Sequence, residues 1–189
     1  FVQMQLQDEK PVLDPQSLNA VDKWILSRMN TVIDHVTMNM DRYEFAMVGN
    51  ELYSFVWDDF CSWYIELSKA NLYSENRNIV ASTKAVLLTV LTNICKLLHP
   101  FMPFVTEEIY QSLPHDKESI NVETWPDKIE FDSKENEKEF VDLALSIIVK
   151  VREIKQEYNM KPSNPLTISI VDEQGSVIDL SDDYKRIID

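Results

Sequence analysis

The sequence predicts a mainly α protein: an antiparallel helix bundle followed by the start of a small α+β element. Apolar residues recur at steps of three and four from Leu18 to Tyr158, the period of helices that bury one face. The chain has only two glycines, which nearly excludes glycine turns, phosphate-cradling loops and dinucleotide fingerprints. Strict alternation of apolar and polar residues begins only at Leu166, so any strands come late.

The first two predicted helices are joined so tightly that they must be antiparallel neighbours. Asp14 followed by Pro15 predicts the start of the first helix, which should end near Asn39. Asp41 with Glu44 resembles a capping box, so a second helix is expected over about 42–72. This second helix is apolar nearly all round, which favours a central position in the bundle.

A third helix is predicted over about 78–98, and the stretch HPFMPF follows it. Pro100 disfavours helical geometry at His99, and Pro103 can open a fourth helix. We expect this apolar corner to tuck into the end of the bundle and to fix its geometry, with no chemistry required.

The last part of the chain is predicted to change from all-α to mixed α and β structure. Residues 114–132 read as a loop, Ser133 as the cap of a fifth helix and Asn159 as its stop. Residues 166–170 and 177–180 read as two short strands, and Ser181 as the cap of a further helix. The expected organisation is a lead-in over 1–14, a helical bundle over 15–128, and a helix with strands over 129–189.

Composition narrows the functional classes. The net charge of −14 argues against a general nucleic-acid binder, although residues 15–113 hold seven basic and eleven acidic residues and are only mildly acidic. Cys61 and Cys95 form no CxxC pair and fall in apolar helical patterns, which predicts buried free thiols in a reducing compartment. No signal peptide or run of membrane-spanning length is apparent, so we expect a cytoplasmic protein with no membrane partner. The chain starts at Phe1 and stops in a starting helix, which suggests a piece of a longer protein.

The residues predict no catalytic or metal site. The three histidines, at positions 35, 99 and 115, are not preceded three residues earlier by Glu, and no HExxH or GxSxG sequence occurs. Adjacent carboxylates such as Asp58 and Asp59 point about 100° apart on a helix and suit a solvated face better than an acid/base pair.

Aromatic, amide and basic residues on the first two helices form the set that a reader of unpaired RNA bases needs. The alternative for each of them is core or rim packing, and spacing alone does not decide between the two. The set comprises Trp24, Arg28, Asn30, Arg42, Tyr43, Tyr53 and Trp57.

Three stretches carry a resemblance to a known family: DKWILSRMN (22–30), FVWDDFCSWYIELSK (55–69) and KLLHPFMPFVTEEIYQSL (96–113). Together they resemble the anticodon-binding helical domain of the valyl-tRNA synthetases, a class I family. VREIKQEYNMKPSNPLTISI (151–170) resembles the family's continuation into its stem-contact region. The catalytic HIGH and KMSKS signatures of the family do not occur in this chain.

The resemblance implies an anticodon-binding module of a valine–tRNA ligase, an ATP-dependent aminoacyl-tRNA ligase of protein biosynthesis. Its partners would be tRNA(Val) and the remaining domains of the synthetase, with no DNA; ATP and valine would bind a catalytic domain absent here, so no cofactor or metal is expected. The expected anticodon contacts are Arg28, Asn30, Arg42, Phe45 and Asn50, and the expected stem-phosphate contacts are Lys150, Arg152 and Lys155. The alternative function is a helical protein-interaction or scaffold module, whose sign would be a contiguous exposed apolar patch without a basic cleft.

Overall fold

A computed structural model of the chain describes residues 1–7, 9–132, 135–161, 163, 164, 167 and 169. The chain divides into two compact units, Phe1–Lys134 and Glu135–Asp189. The described part is helical and contains no strand, which confirms the mainly α prediction. The predicted strands and final helix depend on residues 166, 168 and 170–189, which are outside the described residues.

The first helix, α1 (Val2–Leu6), lies in the stretch predicted to be a lead-in. Val2 and Leu6 are buried, and α1 contacts the later helix α5 (Arg77–Leu98), so this stretch packs against the helices that follow it. The Glu9 carboxylate accepts a hydrogen bond from Lys84 Nζ at 2.9 Å, which ties the following residues to α5 as well.

Helix α2 (Ala20–Asp41) begins later than predicted. Asp14 instead closes a turn by accepting from the Gln16 N–H at 3.0 Å, and Asn19 caps the helix. The Asn19 side chain accepts from the Asp22 N–H at 3.0 Å and donates to the Asp22 carboxylate at 2.6 Å, a reciprocal pair that outcompetes Asp14 as a start signal. The predicted apolar stripe of the helix is buried from Leu18 to Val36.

One carboxylate in the first turn of α2 is fully buried. Asp22 Oδ1 accepts from the Tyr64 hydroxyl at 2.7 Å, and neither residue is exposed to solvent. Burial raises the pKa of Asp22 to about 6, and the hydrogen bonds from Tyr64 and Asn19 oppose that shift. Burial and the neighbouring carboxylate raise the pKa of Tyr64 well above its usual value of 10.

The predicted second helix is one continuous helical run made of α3 (Phe45–Ser54), a π-helical segment (Phe55–Tyr64) and α4 (Ile65–Leu72). It contacts α2 along its first two parts, as the tight connection requires. The apolar residues of this run are not all buried, since Met47, Tyr53 and Trp57 are more than half exposed. Cys61 is exposed too, because the wider π turn shifts the phase at which side chains face the core. Cys95 is buried as predicted.

Helix α5 (Arg77–Leu98) is the core helix of the first unit and contacts α1, α2, α3 and α4, together with α6 (Pro103–Gln111). By length and apolar composition α5 could cross a membrane, but half of its most apolar window is already buried inside the unit. Pro103 opens α6, as predicted.

A loop follows α6 and includes a 3₁₀ turn over Ile120–Val122. Cys95, Tyr110 and Ile120 form a small core beneath this loop. The second unit contains α7 (Glu135–Glu157), and Asn159, with φ of 51°, ends it at the predicted stop.

Candidate nucleic-acid interface

Exposed aromatic and thioether side chains gather where two helix–helix connections meet. Tyr43 and Phe45 come from the α2–α3 connection, and Phe101 comes from the α5–α6 corner. The Tyr43 and Phe45 rings are edge-to-face with centroids 6.1 Å apart, and the Phe45 and Phe101 centroids are 6.3 Å apart. We call Tyr43, Phe45, Phe101, Met102 and Phe104 the aromatic end; these side chains are 80%, 49%, 41%, 50% and 90% exposed.

The turn after α2 presents Tyr43 in an unusual backbone conformation. The Glu44 N–H donates to the Asn39 carbonyl at 2.9 Å and the Tyr43 N–H to the Met40 carbonyl at 3.0 Å, the bond pattern of a Schellman motif. Such a motif puts its αL residue where glycine is usual, yet here Tyr43 has φ of 59°. The expected capping box was wrong, because neither Asp41 nor Glu44 makes a side-chain cap bond to α3.

The α5–α6 corner was predicted to tuck into the bundle, and that prediction was wrong. The Phe101 and Met102 N–H groups both donate to the Leu98 carbonyl, at 2.9 and 3.0 Å, so the chain turns sharply after α5. Polar contacts hold the turn: His99 lies 2.8 Å from Thr106 Oγ1 and 3.0 Å from Asn121 Oδ1. The apolar side chains of the corner, Phe101, Met102 and Phe104, face solvent instead of the core.

Arg42 stands beside the aromatic end and is exposed. Its side chain makes no hydrogen bond or ion pair within the described part of the chain. It lies at the rim of a groove of about 540 Å³ that runs between α2 and residues 125–128, with Met38, Asp41 and Trp125 in its walls. This groove adjoins the turn that carries Tyr43, so a cation, a carboxylate and several rings share one surface.

Residues 125–128 form the far wall of this groove, and polar contacts between three pairs of residues fasten the segment 125–129 to α2. Trp125 Nε1 donates to Thr37 Oγ1 at 2.8 Å, and Lys128 pairs with Asp34 at 2.6 Å. The Asn30 amide both donates to the Ile129 carbonyl, at 2.9 Å, and accepts from the Ile129 N–H, at 2.8 Å. The far wall of the groove is therefore held in a defined position.

The structure distributes the five predicted anticodon residues unequally. It brings Arg42 and Phe45 to the aromatic end, and it leaves Asn50 exposed on α3. Asn30 is engaged with Ile129, and the Arg28 guanidinium donates from Nε to Asp59 at 2.8 Å while 30% of its side chain is exposed. Arg28 and Asn30 could reach RNA only by giving up these bonds, so their contact with RNA stays a prediction.

The three predicted stem-contact residues lie on α7 in the second unit. Lys150 is exposed and donates to Glu153 at 3.0 Å. Arg152 and Lys155 line a groove of about 680 Å³ together with Met160. Their contact with a tRNA stem also stays a prediction.

Sequence reasoning missed the contribution of the corner to this surface. Phe101, Met102 and Phe104 were interpreted as packing, although two prolines interleaved with large apolar residues also suit a rigid exposed projection. Tyr43 was noted only among candidate aromatics. Among the described residues no three His, Cys, Asp or Glu side chains come close enough to hold a metal ion.

The comparisons with known proteins decide the family. A family model described as the anticodon-binding domain of tRNA ligase matches residues 22–170. The chain belongs to this family of anticodon-binding domains. The match runs from the first turn of α2 to residue 170, beyond the end of α7, so both units of the chain share in it.

The similar curated proteins are bacterial valine–tRNA ligases. The chain is 47% identical over 155 residues to that of Geobacillus kaustophilus, which covers 81% of this chain and 18% of the relative. It is 43% identical over 169 residues to that of Bacillus subtilis (88% of this chain, 19% of the relative) and 44% identical over 181 residues to that of Bacillus cereus strain ATCC 14579 (94% and 20%). The chain thus spans about a fifth of the length of these relatives.

Proposed function

We propose that this chain is the anticodon-reading module of a cytoplasmic valine–tRNA ligase, and that the aromatic end is where it reads the anticodon of tRNA(Val). The observation that carries the proposal is the meeting of Tyr43, Phe45 and Phe101 on an exposed surface in a chain of this family. Unstacked RNA bases bind protein chiefly by stacking on aromatic rings, at about 1–3 kcal/mol per base.

Arg42 and Asp41 supply polar readout beside these rings. Valine codons begin with GU, so the middle and third anticodon bases are A and C. Both bases carry an exocyclic amino group where G and U carry a carbonyl oxygen, and a carboxylate accepts from the former and repels the latter. We assign Asp41 this acceptor role and Arg42 the contact to a neighbouring phosphate. The acidic residues of the chain then help to distinguish one anticodon base from another more than they increase the affinity for RNA.

In our proposal, Arg28 and Asn30 do not contact RNA directly but hold the elements that carry this surface. Arg28 joins α2 to the π segment through Asp59, and Asn30 holds the far wall of the groove. Lys150, Arg152 and Lys155 would contact phosphates of the stem, and catalysis would reside in parts of the ligase outside this chain.

Replacing Phe45 by Ala tests the proposal. We expect the variant to bind a valine anticodon stem-loop about 5- to 150-fold more weakly at low salt, which corresponds to the loss of one stacked base. Tyr53→Ala is the matched control: Tyr53 is 68% exposed and stacks on Trp57, with ring centroids 6.5 Å apart, but contacts no ring of the aromatic end. Equal weakening in both variants would contradict the assignment of the site.

The Tyr53–Trp57 pair favours a second function for another face of the same domain. These rings are 68% and 61% exposed, and Asp58 beside them is exposed as well. An acidic, aromatic surface suits a basic protein segment better than a phosphate backbone. Contact with the remaining domains of a longer ligase fits both this chemistry and the fivefold greater length of the relatives.

A further inference from the structure

Gly49 stands in the interior of α3, where glycine is unfavourable. It is one of only two glycines in the chain, and it is exposed. Glycine destabilises a helix interior relative to alanine, because it loses more backbone freedom on folding. A Cβ atom at this position would meet nothing within 4 Å, so packing within the described part of the chain does not require glycine. What the missing side chain does provide is an open place where another molecule can approach the helix backbone closely.

Two large rings follow Gly49 on the same side of the helical run. Tyr53 comes four residues after Gly49 and Trp57 four residues after Tyr53, the spacing that aligns side chains along a helix. The two rings are stacked, with 12° between their planes, and more than half of each side chain is exposed. Tyrosine and tryptophan are enriched among the residues that dominate protein–protein binding. We call Gly49, Tyr53, Trp57 and Asp58 the outer face of the run.

The charge of the run favours one class of partner. Residues 43–68 include five carboxylates and no lysine, arginine or histidine. Asp58 is exposed and accepts from Ser54 Oγ at 3.1 Å, but no cation pairs with it among the described residues. The phosphates of RNA, an anionic membrane and a second copy of the same acidic face would all be repelled. A cationic protein segment is therefore the partner that fits.

Arginine fits the outer face better than lysine does. Its planar guanidinium can stack on an aromatic ring while its N–H groups donate to a carboxylate. Trp57 and Asp58 are consecutive exposed residues and offer one partner of each kind. Because Gly49 leaves the helix surface open, a second helix can lie along the outer face with a short distance between the two axes.

We propose that the outer face docks an arginine-bearing helix from the part of a valine–tRNA ligase outside this chain. The docking rests on the proposed function, which assigns this chain to such a ligase, only for the source of the helix. In the docked state the guanidinium covers Trp57 and donates to Asp58, and Tyr53 packs against the apolar part of the helix. The relatives are about five times as long as this chain and have ample length to supply it.

Gly49→Ala tests the first step of the argument without any partner. Alanine favours the helix, so the variant should raise the urea midpoint for unfolding of the 189-residue chain. A lower midpoint would show that the fold itself requires glycine at this position, and it would overturn the proposal.

A probe peptide tests the binding site. The probe is an alanine-rich helical peptide of about 20 residues with arginine at every fourth position. We expect it to shift the NMR signal of the Trp57 indole N–H, and to bind Trp57→Ala and Asp58→Asn about three- to tenfold more weakly, since each variant removes one contact of the guanidinium. No shift at millimolar peptide would overturn the proposal. Equal binding by Trp57→Ala, or by the same peptide with glutamine in place of arginine, would also overturn it.

The exposed thiol of Cys61, four residues after Trp57, reports the source of the helix. In the full-length ligase that contains these residues, Cys61 should be alkylated at least about tenfold more slowly than in the 189-residue chain, as mass spectrometry of the Cys61 peptide would measure. Trp57→Ala in the full-length ligase should restore much of the faster rate. Equal rates in the full-length ligase and the 189-residue chain would contradict docking from within the ligase.

Stem-loop binding separates this proposal from the proposed function. Trp57→Ala should keep the wild-type affinity for a valine anticodon stem-loop, and Phe45→Ala should keep the wild-type affinity for the peptide. If the peptide binds as expected but the stem-loop does not, the docking surface stands and the proposed function fails. If Trp57→Ala loses stem-loop binding, the outer face contacts RNA and the docking proposal fails. Dimerisation of the 189-residue chain that Trp57→Ala abolishes would instead assign the face to a second copy.

Discussion

The two ends of α2 differ in almost every physical respect. At its first turn, Asp22 is fully buried, bonded to Tyr64 and reciprocally capped by Asn19. Just beyond its last turn, Tyr43 is 80% exposed in an αL conformation, and the Arg42 side chain has no partner in the described part of the chain. The first end binds the helices to one another, while the second leaves rings and a cation available. The buried cap and the proposed recognition surface thus lie about 30 Å apart along one helix of 22 residues.

The pH dependence of stability tests the buried end and has the largest expected effect. Asp22 has a folded pKa of about 6 against 3.8 in the unfolded chain, so between these values the folded state keeps a proton that the unfolded state has lost. This group therefore lowers stability as pH rises from about 4 to about 6, by about 3 kcal/mol in total. Asp22→Asn keeps an acceptor for Tyr64 and should lose this slope.

The measurement is urea unfolding of both proteins from about pH 4 to about pH 8. The difference in unfolding free energy between them isolates Asp22 from the other carboxylates of the chain. If the difference in unfolding free energy does not change with pH, the pKa of Asp22 is not raised in the folded protein, which would contradict the prediction.

Alanine substitutions of Asn30 and Asn50 distinguish a side chain that stabilises the fold from one that is available to contact RNA. Asn30→Ala leaves the N–H and carbonyl of Ile129 without partners and should lower the unfolding free energy by about 2 kcal/mol. Asn50→Ala removes an exposed side chain and should change it by less than about 0.5 kcal/mol. Thermal or urea unfolding compares the two, and stem-loop affinity completes the pair. If Asn30→Ala is as stable as the wild type but binds RNA more weakly, Asn30 contacts RNA and does not stabilise the fold.

Tyr43→Gly separates stability from recognition at the exposed end. Glycine adopts φ of 59° without strain, so the variant should be as stable as the wild type or more stable, by up to about 1 kcal/mol. The same change removes a ring from the aromatic end and should weaken stem-loop binding. Tyr43→Ala removes the ring but keeps the strain, and it should weaken binding equally without the gain in stability. Unchanged binding in both variants would exclude Tyr43 from the interface.

The sequence predicted the parts of the fold that depend on local pattern. Helix α5, the start of α6 at Pro103 and the stop of α7 at Asn159 follow from helical period, proline and αL preference, which act within a few residues. The start of α2 was misplaced, since two capping signals competed and the reciprocal Asn19–Asp22 pair was the stronger. Cys61 was predicted to be buried and is exposed. The prediction assumed a period of 3.6 residues, whereas the π-helical segment has more residues per turn and so directs Cys61 to solvent.

The candidate site was predictable only in part, for a different reason. Arg42 and Phe45 were named because they stand at a predicted turn, where side chains project from a bundle. Phe101 was missed because its exposure depends on contacts distant in sequence: His99 with Asn121, and the Phe101 ring with Phe45. Asn30 looked available, yet its partner Ile129 lies 99 residues away.

The central claim is that bases are read at the exposed end of α2, and discrimination between two RNA loops tests it most directly. The measurement is the affinity of the 189-residue chain, at low salt, for a valine anticodon stem-loop and for the same loop with its middle A changed to G. We predict about tenfold or stronger preference for A, roughly 1.4 kcal/mol. Equal affinity for the two loops, or no binding at micromolar protein, would contradict base readout by these residues and would leave the chain a structural support for readout elsewhere.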